Sequence, residues 1–344
     1  MRYFFLLIVL SFPLLAVSQS SRDTVFLKER TMDRPLIVHD HQLRVTGLYG
    51  FSTITKKFDE SSGRIKLSDE GSSNMLHRGS VDIRYGFLNI LQVDVALTYV
   101  NNYQRAQPIL SFALDGSYVE TYYNSYYSGF QDLFIGGSIL APWKTRKIDL
   151  VLSGGMTLPT ANSMMPQPGH TYEQGAGSTK ITYNRNYPVG LGVAKTYVGT
   201  QFKYRLKNMA FTASLRYGFP MGESEDVDWR YRVVLNEFSY ERHTYRLAHP
   251  SSYNALLEVE YQLFPFVNVF LDLAQDAFIG GWSERTTVKT GFPDRKFTIL
   301  SPGIEVLLTS KLWLRQQAIF GIAGQNTLAP FSINTSLMYN FFPF

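Results

Sequence analysis

Val81-Asp82-Ile83-Arg84-Tyr85-Gly86-Phe87-Leu88-Asn89-Ile90-Leu91-Gln92-Val93-Asp94-Val95-Ala96-Leu97-Thr98-Tyr99 carries two runs of strict alternation around a short link. Val81, Ile83, Tyr85 and Phe87 share one face, and Leu91, Val93, Val95, Leu97 and Tyr99 share the same face of the return run. Asp82, Arg84 and Asp94 fall on the other face. A period of two marks β-strands, and the three-residue link Leu88-Asn89-Ile90 marks a hairpin. One face of each strand is apolar and the other bears charge. A soluble sandwich turns the apolar face inward. A membrane barrel turns it to lipid and lines its lumen with the polar face.

The pattern recurs from Met209 to Phe219 and from Tyr253 to Leu263. About twelve strands are expected, each near the ~9–11 residues that cross a bilayer at a tilt. They begin near Gln42, Gly79, Leu91, Gly129, Ile148, Pro188, Met209, Tyr253, Val267, Lys296, Leu312 and Leu328. The connections separate the two architectures. Short ones fall at Asn89, Pro142 to Lys147, Lys207-Asn208, Pro265 and Thr309 to Lys311. Longer ones run Lys56 to Arg78, Asn101 to Ser128, Ala161 to Tyr187, Pro220 to Ser252, Gly280 to Arg295 and, more briefly, near Ala323 to Thr327. Long and short alternate, as in barrels with long outer loops and short periplasmic turns. The expected fold is an all-β transmembrane antiparallel up-and-down β-barrel of about twelve strands, over residues 41–344.

The ends agree. Arg2, the apolar run Tyr3 to Leu15 and the small residues of Ala16-Val17-Ser18 read as a signal peptide over residues 1–18. The run is shorter than the ~20 residues of a spanning helix and contains Pro13. The last strand, Ile333 to Phe342, ends in aromatics like an outer-membrane barrel strand, although Phe344 is out of register and Pro343 cannot donate to a ladder. Residues 19–40 are mixed and charged, either a periplasmic tail or a lumen-inserted segment. Partial insertion is favoured, because a lumen of this size is otherwise open to water. With no cysteine, disulfides, thiolate metal sites and a lipidated N-terminus are excluded. The net charge of +5, without a basic tract, gives no support to nucleic-acid binding. The implied partners are outer-membrane lipid, the barrel-assembly machinery through the last strand, and a small-molecule solute.

Several segments resemble the outer-membrane transporter family associated with the meta-cleavage pathway of phenol degradation. Tyr85-Gly86-Phe87-Leu88-Asn89-Ile90-Leu91 is similar to that family's hairpin, and Gly129-Phe130-Gln131-Asp132-Leu133-Phe134-Ile135-Gly136 to its strand start, with Gln131 where glycine is common. Leu158-Pro159-Thr160 and Gly175-Ala176-Gly177-Ser178 resemble two further motifs, with Ala161 in place of a glycine. The similarity covers roughly Leu43 to Phe219. It implies a barrel and the passage of hydrophobic or aromatic solutes, and it implies no catalytic residue or cofactor.

Candidate site residues follow from alternation. Asp82, Arg84, Asp94, Asp132 and Asp149 are expected to face the lumen in the first half of the barrel. Lys203, Arg205, Arg216, Glu258, Glu260, Asp272 and Glu305 are expected to do so in the second. They form either a polar path tuned by charge rings or a salt-bridged, partly filled interior. Tyr118, Tyr122, Tyr123, Tyr126 and Tyr127 mark an aromatic outer loop able to stack on aromatic or sugar solutes. His39-Asp40-His41 has two ligand-type residues two apart but no evident third, so no metal is expected. His249-Pro250-Ser251 has the histidine–serine spacing of barrel lipases, without the surrounding motif. The sequence reading is a channel for small solutes, not an enzyme. Its alternatives are a structural or surface-interaction barrel and a barrel hydrolase.

Overall fold

The structure, a computed structural model, describes residues 36–341 apart from 67–72, 89, 106–108, 113–117, 142–146, 164–166, 176–177, 235–236 and 286–287. The signal peptide, residues 19–35 and the closing Phe342-Pro343-Phe344 lie outside the described residues.

Twelve strands close a barrel. In order they are Leu43–Phe58, Ser73–Phe87, Leu91–Arg105, Leu133–Leu140, Ile148–Leu158 and Lys195–Arg205, then Met209–Pro220, Ser251–Phe264, Val267–Ile279, Arg295–Leu307, Leu312–Gln325 and Thr327–Phe341. Each pairs antiparallel with the next. The last pairs with the first, Arg44 opposite Asn340 and Tyr49 opposite Thr335. Closure leaves no sheet edge, so every ladder group is satisfied inside the bilayer.

The alternation read from Val81 to Tyr99 sets the faces. Val81, Ile83, Val93 and Leu97 lie on the exposed outer surface, as do Leu152, Leu215, Leu257 and Leu271 on other strands. In a barrel this exposed apolar band faces lipid. Aromatic pairs rim both of its edges. At the short-turn end Tyr85 meets Phe87 at 4.6 Å and Tyr339 meets Phe341 at 4.5 Å. At the other end Tyr99 meets Phe130 at 5.3 Å and Tyr217 meets Tyr253 at 4.7 Å. From Leu91 to Tyr99, steps of ~3.3 Å tilted by ~40° climb about 20 Å, close to a hydrocarbon layer.

The strands are longer than expected. The first has 16 residues, because its ladder continues past the bilayer and pairs with Arg64–Lys66. Three other expectations are corrected. The fourth strand begins at Leu133, after a break at Gln131-Asp132, rather than at Gly129. The sixth begins at Lys195, because Pro188 lacks a ladder donor and residues 188–194 are irregular. The tyrosine-rich segment is a strand, Tyr118–Phe130, and not a loop. It pairs with the outer part of the third strand, with Tyr99 opposite Phe130, and runs parallel to Ser178–Tyr187. That strand pairs in turn with Gly169–Gly175. A separate four-stranded sheet, Ser224–Val234, Glu237–Ala248, Trp282–Arg285 and Val288–Gly291, completes the outer end.

Candidate functional site

The even-numbered residues of the second, third, seventh, eighth and ninth strands face inward, and they divide the lumen into two zones. Toward the short turns it is filled. Lys203 and Glu260 meet at 3.1 Å with both side chains 5% exposed, and Arg205 bonds Asp149 at 2.5 and 3.0 Å. Arg315, which sequence reading had missed, gathers three carboxylates: Glu258 at 2.5 Å, Asp272 at 3.3 Å and Glu305 at 3.8 Å. Its guanidinium lies 3.6 Å from the Phe270 ring centroid. The signal for Arg315 was present in Trp313-Leu314-Arg315-Gln316-Gln317, where alternation puts Trp313, Arg315 and Gln317 on one face. Buried ion pairs recover their desolvation cost only with such multiple contacts.

The described part of the N-terminal segment ends in this filled zone. Ile37 and Val38 are buried. The Leu36 amide donates to Asp149 Oδ2 at 3.1 Å, and the Val38 amide donates to Gln92 Oε1 at 2.8 Å. Gln92 Nε2 in turn donates to Asp94 at 2.5 Å. Gly86 makes room for this segment, since a Cβ there would come within 2.0 Å of the His39 carbonyl oxygen.

The lumen also holds a cavity of about 530 Å³ that reaches from Leu36 and Gln92 near the short turns to Asp132 and Arg216 toward the outer end. Asp82, Arg84, Asp94, Asp132 and Arg216 line it, with Leu36 at its floor. Arg84 pairs with Asp82 at 2.6 Å and with Asp94 at 3.9 Å. Asp132 does not stand on a strand as expected. It sits in the break before the fourth strand and accepts the Ala161 and Leu191 amides at 3.0 and 2.9 Å, tying two outer connections together. The lumen candidates from the sequence thus divide between this cavity and the ion-paired zone beside it.

A second cavity of about 610 Å³ lies among the outer connections, lined in part by Tyr127, Tyr187, Ser224, Leu247 and His249. Of the five tyrosines, only Tyr127 reaches it. Tyr123 stacks on Tyr183 at 5.4 Å, Tyr122 donates to Glu120, and Tyr118 and Tyr126 are exposed. The five tyrosines therefore do not converge on one point.

The geometry does not unite His249 with Ser251. His249 Nε2 lies 2.8 Å from the Leu191 carbonyl, an oxygen to which only an N–H can bond. The same nitrogen faces Ser224 Oγ at 3.0 Å, so it has no lone pair with which to take a proton from that hydroxyl. Ser251 instead accepts from Tyr217 Oη, and Asn254 donates to Asp276. Burial holds the His249 imidazole below its usual range, so it is neutral at pH 7. A histidine with a depressed folded pKa adds nothing to the pH dependence above its unfolded value, about 6.5, and costs stability as pH falls below it. We therefore expect the thermal midpoint to drop between pH 7 and pH 5, and His249→Gln to flatten part of that slope. Identical slopes in the two proteins would remove His249 from the account.

His41 contacts the Tyr85 hydroxyl at 3.0 Å and Asp40 at 3.7 Å. No trio of metal-ligating side chains occurs among the described residues.

No protein-family model and no curated protein sequence matches the chain. Solved structures do match it. The COG4313 outer membrane channel from Pseudomonas putida F1 aligns with a TM-score of 0.60 at 13% identity, over 88% of this chain and 97% of that one. The Pseudomonas putida toluene transporter TodX aligns at 0.46 and 10% identity, over 94% of this chain and 95% of that one. At these identities the first likeness bears on the fold. With the closed ladder and the exposed apolar band, it establishes the chain as a β-barrel of the bacterial outer membrane.

Proposed function

We propose that the protein is an outer-membrane channel that passes small hydrophobic or aromatic solutes, and that it belongs with the transporters of the phenol meta-cleavage pathway. The observation that carries the reading is the lumen cavity of about 530 Å³, of the size that small-molecule sites adopt, with Phe134 and Tyr197 in its wall. The fold shared with an outer membrane channel supports it, as do the motifs from Tyr85 to Gly177. The solute enters through the outer connections, rests in the cavity and leaves past Leu36–Val38. Buried ion pairs and the buried Ile37 and Val38 narrow the lumen near the short turns, so passage on this reading is gated rather than free. The last strand, with Tyr339 and Phe341 at its lipid edge, is the element offered to the barrel-assembly machinery.

Purified full-length protein in planar bilayers tests this. We expect discrete single-channel steps, and liposomes containing the protein to take up phenol faster than empty ones. Silent bilayers and equal uptake would leave the structural barrel as the better reading. Gly86→Val probes the gate without deleting chain. The added side chain pushes against the His39 and Val38 carbonyls, so a higher open probability is expected in the same recordings. An unchanged open probability would show that the segment does not gate.

A further inference from the structure

The cations of the lumen are not all paired. Arg84, Arg205, Lys203 and Arg315 each hold a carboxylate. Arg216 has no hydrogen-bond or ion-pair partner among the described residues, although it lines the outer lumen cavity. Its guanidinium carbon sits 4.2 Å from the Tyr197 ring centroid and 4.9 Å from that of Phe134. The two rings meet edge-on at 6.0 Å and 73°.

The sequence builds this arrangement deliberately into the wall. Gly218 stands opposite Tyr197, and a Cβ there would come within 2.6 Å of the ring. Gly155 would likewise crowd Phe134 at 2.8 Å. Bare backbone at these positions lets both rings lie against the barrel wall with Arg216 over them.

A second buried cation stands further out on the same wall. Lys195 is 7% exposed, with Nζ 5.6 Å from the Tyr197 centroid, and it has no ion-pair partner among the described residues. The nearby carboxylates are engaged elsewhere: Asp94 by Gln92 and Arg84, Asp132 by two amides, Asp276 by Asn254. Asp94 therefore acts on Arg216 only through space, and the wall presents two cations whose side-chain donors are unbonded among the described residues, beside aromatic faces. A guanidinium resting on aromatic rings keeps its planar N–H fork free for a carboxylate.

We propose that Arg216, with Phe134 and Tyr197, forms a lumenal binding site for small aromatic carboxylates. The carboxylate accepts from the Arg216 fork, the ring packs against Phe134 and Tyr197, and Lys195 draws the anion inward from the outer end. This rests on the channel reading and narrows its solute class to anions rather than neutral hydrocarbons.

The test is calorimetric titration of the full-length protein, folded in detergent micelles, with sodium benzoate and, separately, with toluene. Saturable benzoate binding is expected, weakened at least tenfold by Arg216→Gln, while toluene binds the two proteins equally. Cyclohexanecarboxylate should bind more weakly than benzoate, because it lacks the aromatic face. Absence of saturable benzoate binding to the unmodified protein, or equal binding to Arg216→Gln, overturns the proposal. Heat-modifiable gel mobility reports whether each variant has folded. If Arg216→Gln has not, Arg216→Lys is read in its place; it keeps the charge and loses the fork, and binding as tight as that of the unmodified protein overturns the proposal. Bilayer conductance separates the two readings. A barrel that binds benzoate but never conducts keeps the site and retires the channel, and one that conducts without binding does the reverse.

Discussion

Replacing Arg315 by methionine destabilises the barrel by about 3–5 kcal/mol, the cost of breaking a buried ion pair from one side. The side chain is flanked by Glu258, Asp272 and Glu305, all nearly enclosed. Methionine preserves much of the contact with Phe270 and removes the charge that contacts all three carboxylates. Three acids then share a nearly enclosed volume, their like-charge repulsion relieved only in part by Lys203. The measurement is guanidinium-induced unfolding of the protein in lipid vesicles, followed by tryptophan fluorescence. Adding Glu258→Gln and Asp272→Asn to Arg315→Met should restore most of the loss, because neutral amides remove the repulsion. A midpoint that does not move with Arg315→Met would mean that water enters this half of the lumen freely.

The second large effect concerns conduction. Deleting residues 20–38 should at least double single-channel conductance in planar bilayers. The described end of this segment places Ile37 and Val38 in buried positions and spends two amides on lumenal side chains, Asp149 and Gln92. Removing it vacates the acceptor atoms of Asp149 and Gln92 that these amides occupy and uncovers the part of the cavity where Leu36 now sits. The Arg205–Asp149 and Lys203–Glu260 pairs remain, so the opening is expected to be partial. Unchanged conductance would show that the ion-paired zone alone closes the pore.

How much of this was legible in the sequence differs between elements. The hairpin from Val81 to Tyr99 could be read residue by residue, since strand periodicity depends on nothing beyond neighbouring backbone geometry. The strand starts at Leu91, Ile148, Met209, Val267 and Leu312 coincide with those observed or fall within two residues of them, because short turns leave little freedom of register. The start expected near Gly79 falls six residues inside the observed strand, and those at Gly129 and Pro188 precede the observed ones by four and seven residues. The last two border outer connections whose strands pair with distant chain, Tyr118–Phe130 with Ser178–Tyr187, and local pattern carries no information on such partners. The five tyrosines are likewise spread out by the strand on which they stand. Clustering along the chain is not clustering in space when the segment is extended and its side chains alternate between two surfaces.

The sequence by itself determined the alternating faces and the number of crossings, because each follows from a period of two and from the lengths of the connections. Only the tertiary structure decided which of the lumenal charges neutralise one another. Arg315 and Arg216 look alike as isolated arginines on inward faces. The shear of a closed barrel brings the first against three carboxylates and sets the second over two aromatic rings with its donors unspent. Pairing across a lumen depends on distances fixed by strands far apart in the chain. That is why the sequence could name the lining and could not say which part of it is sealed and which part is free to bind.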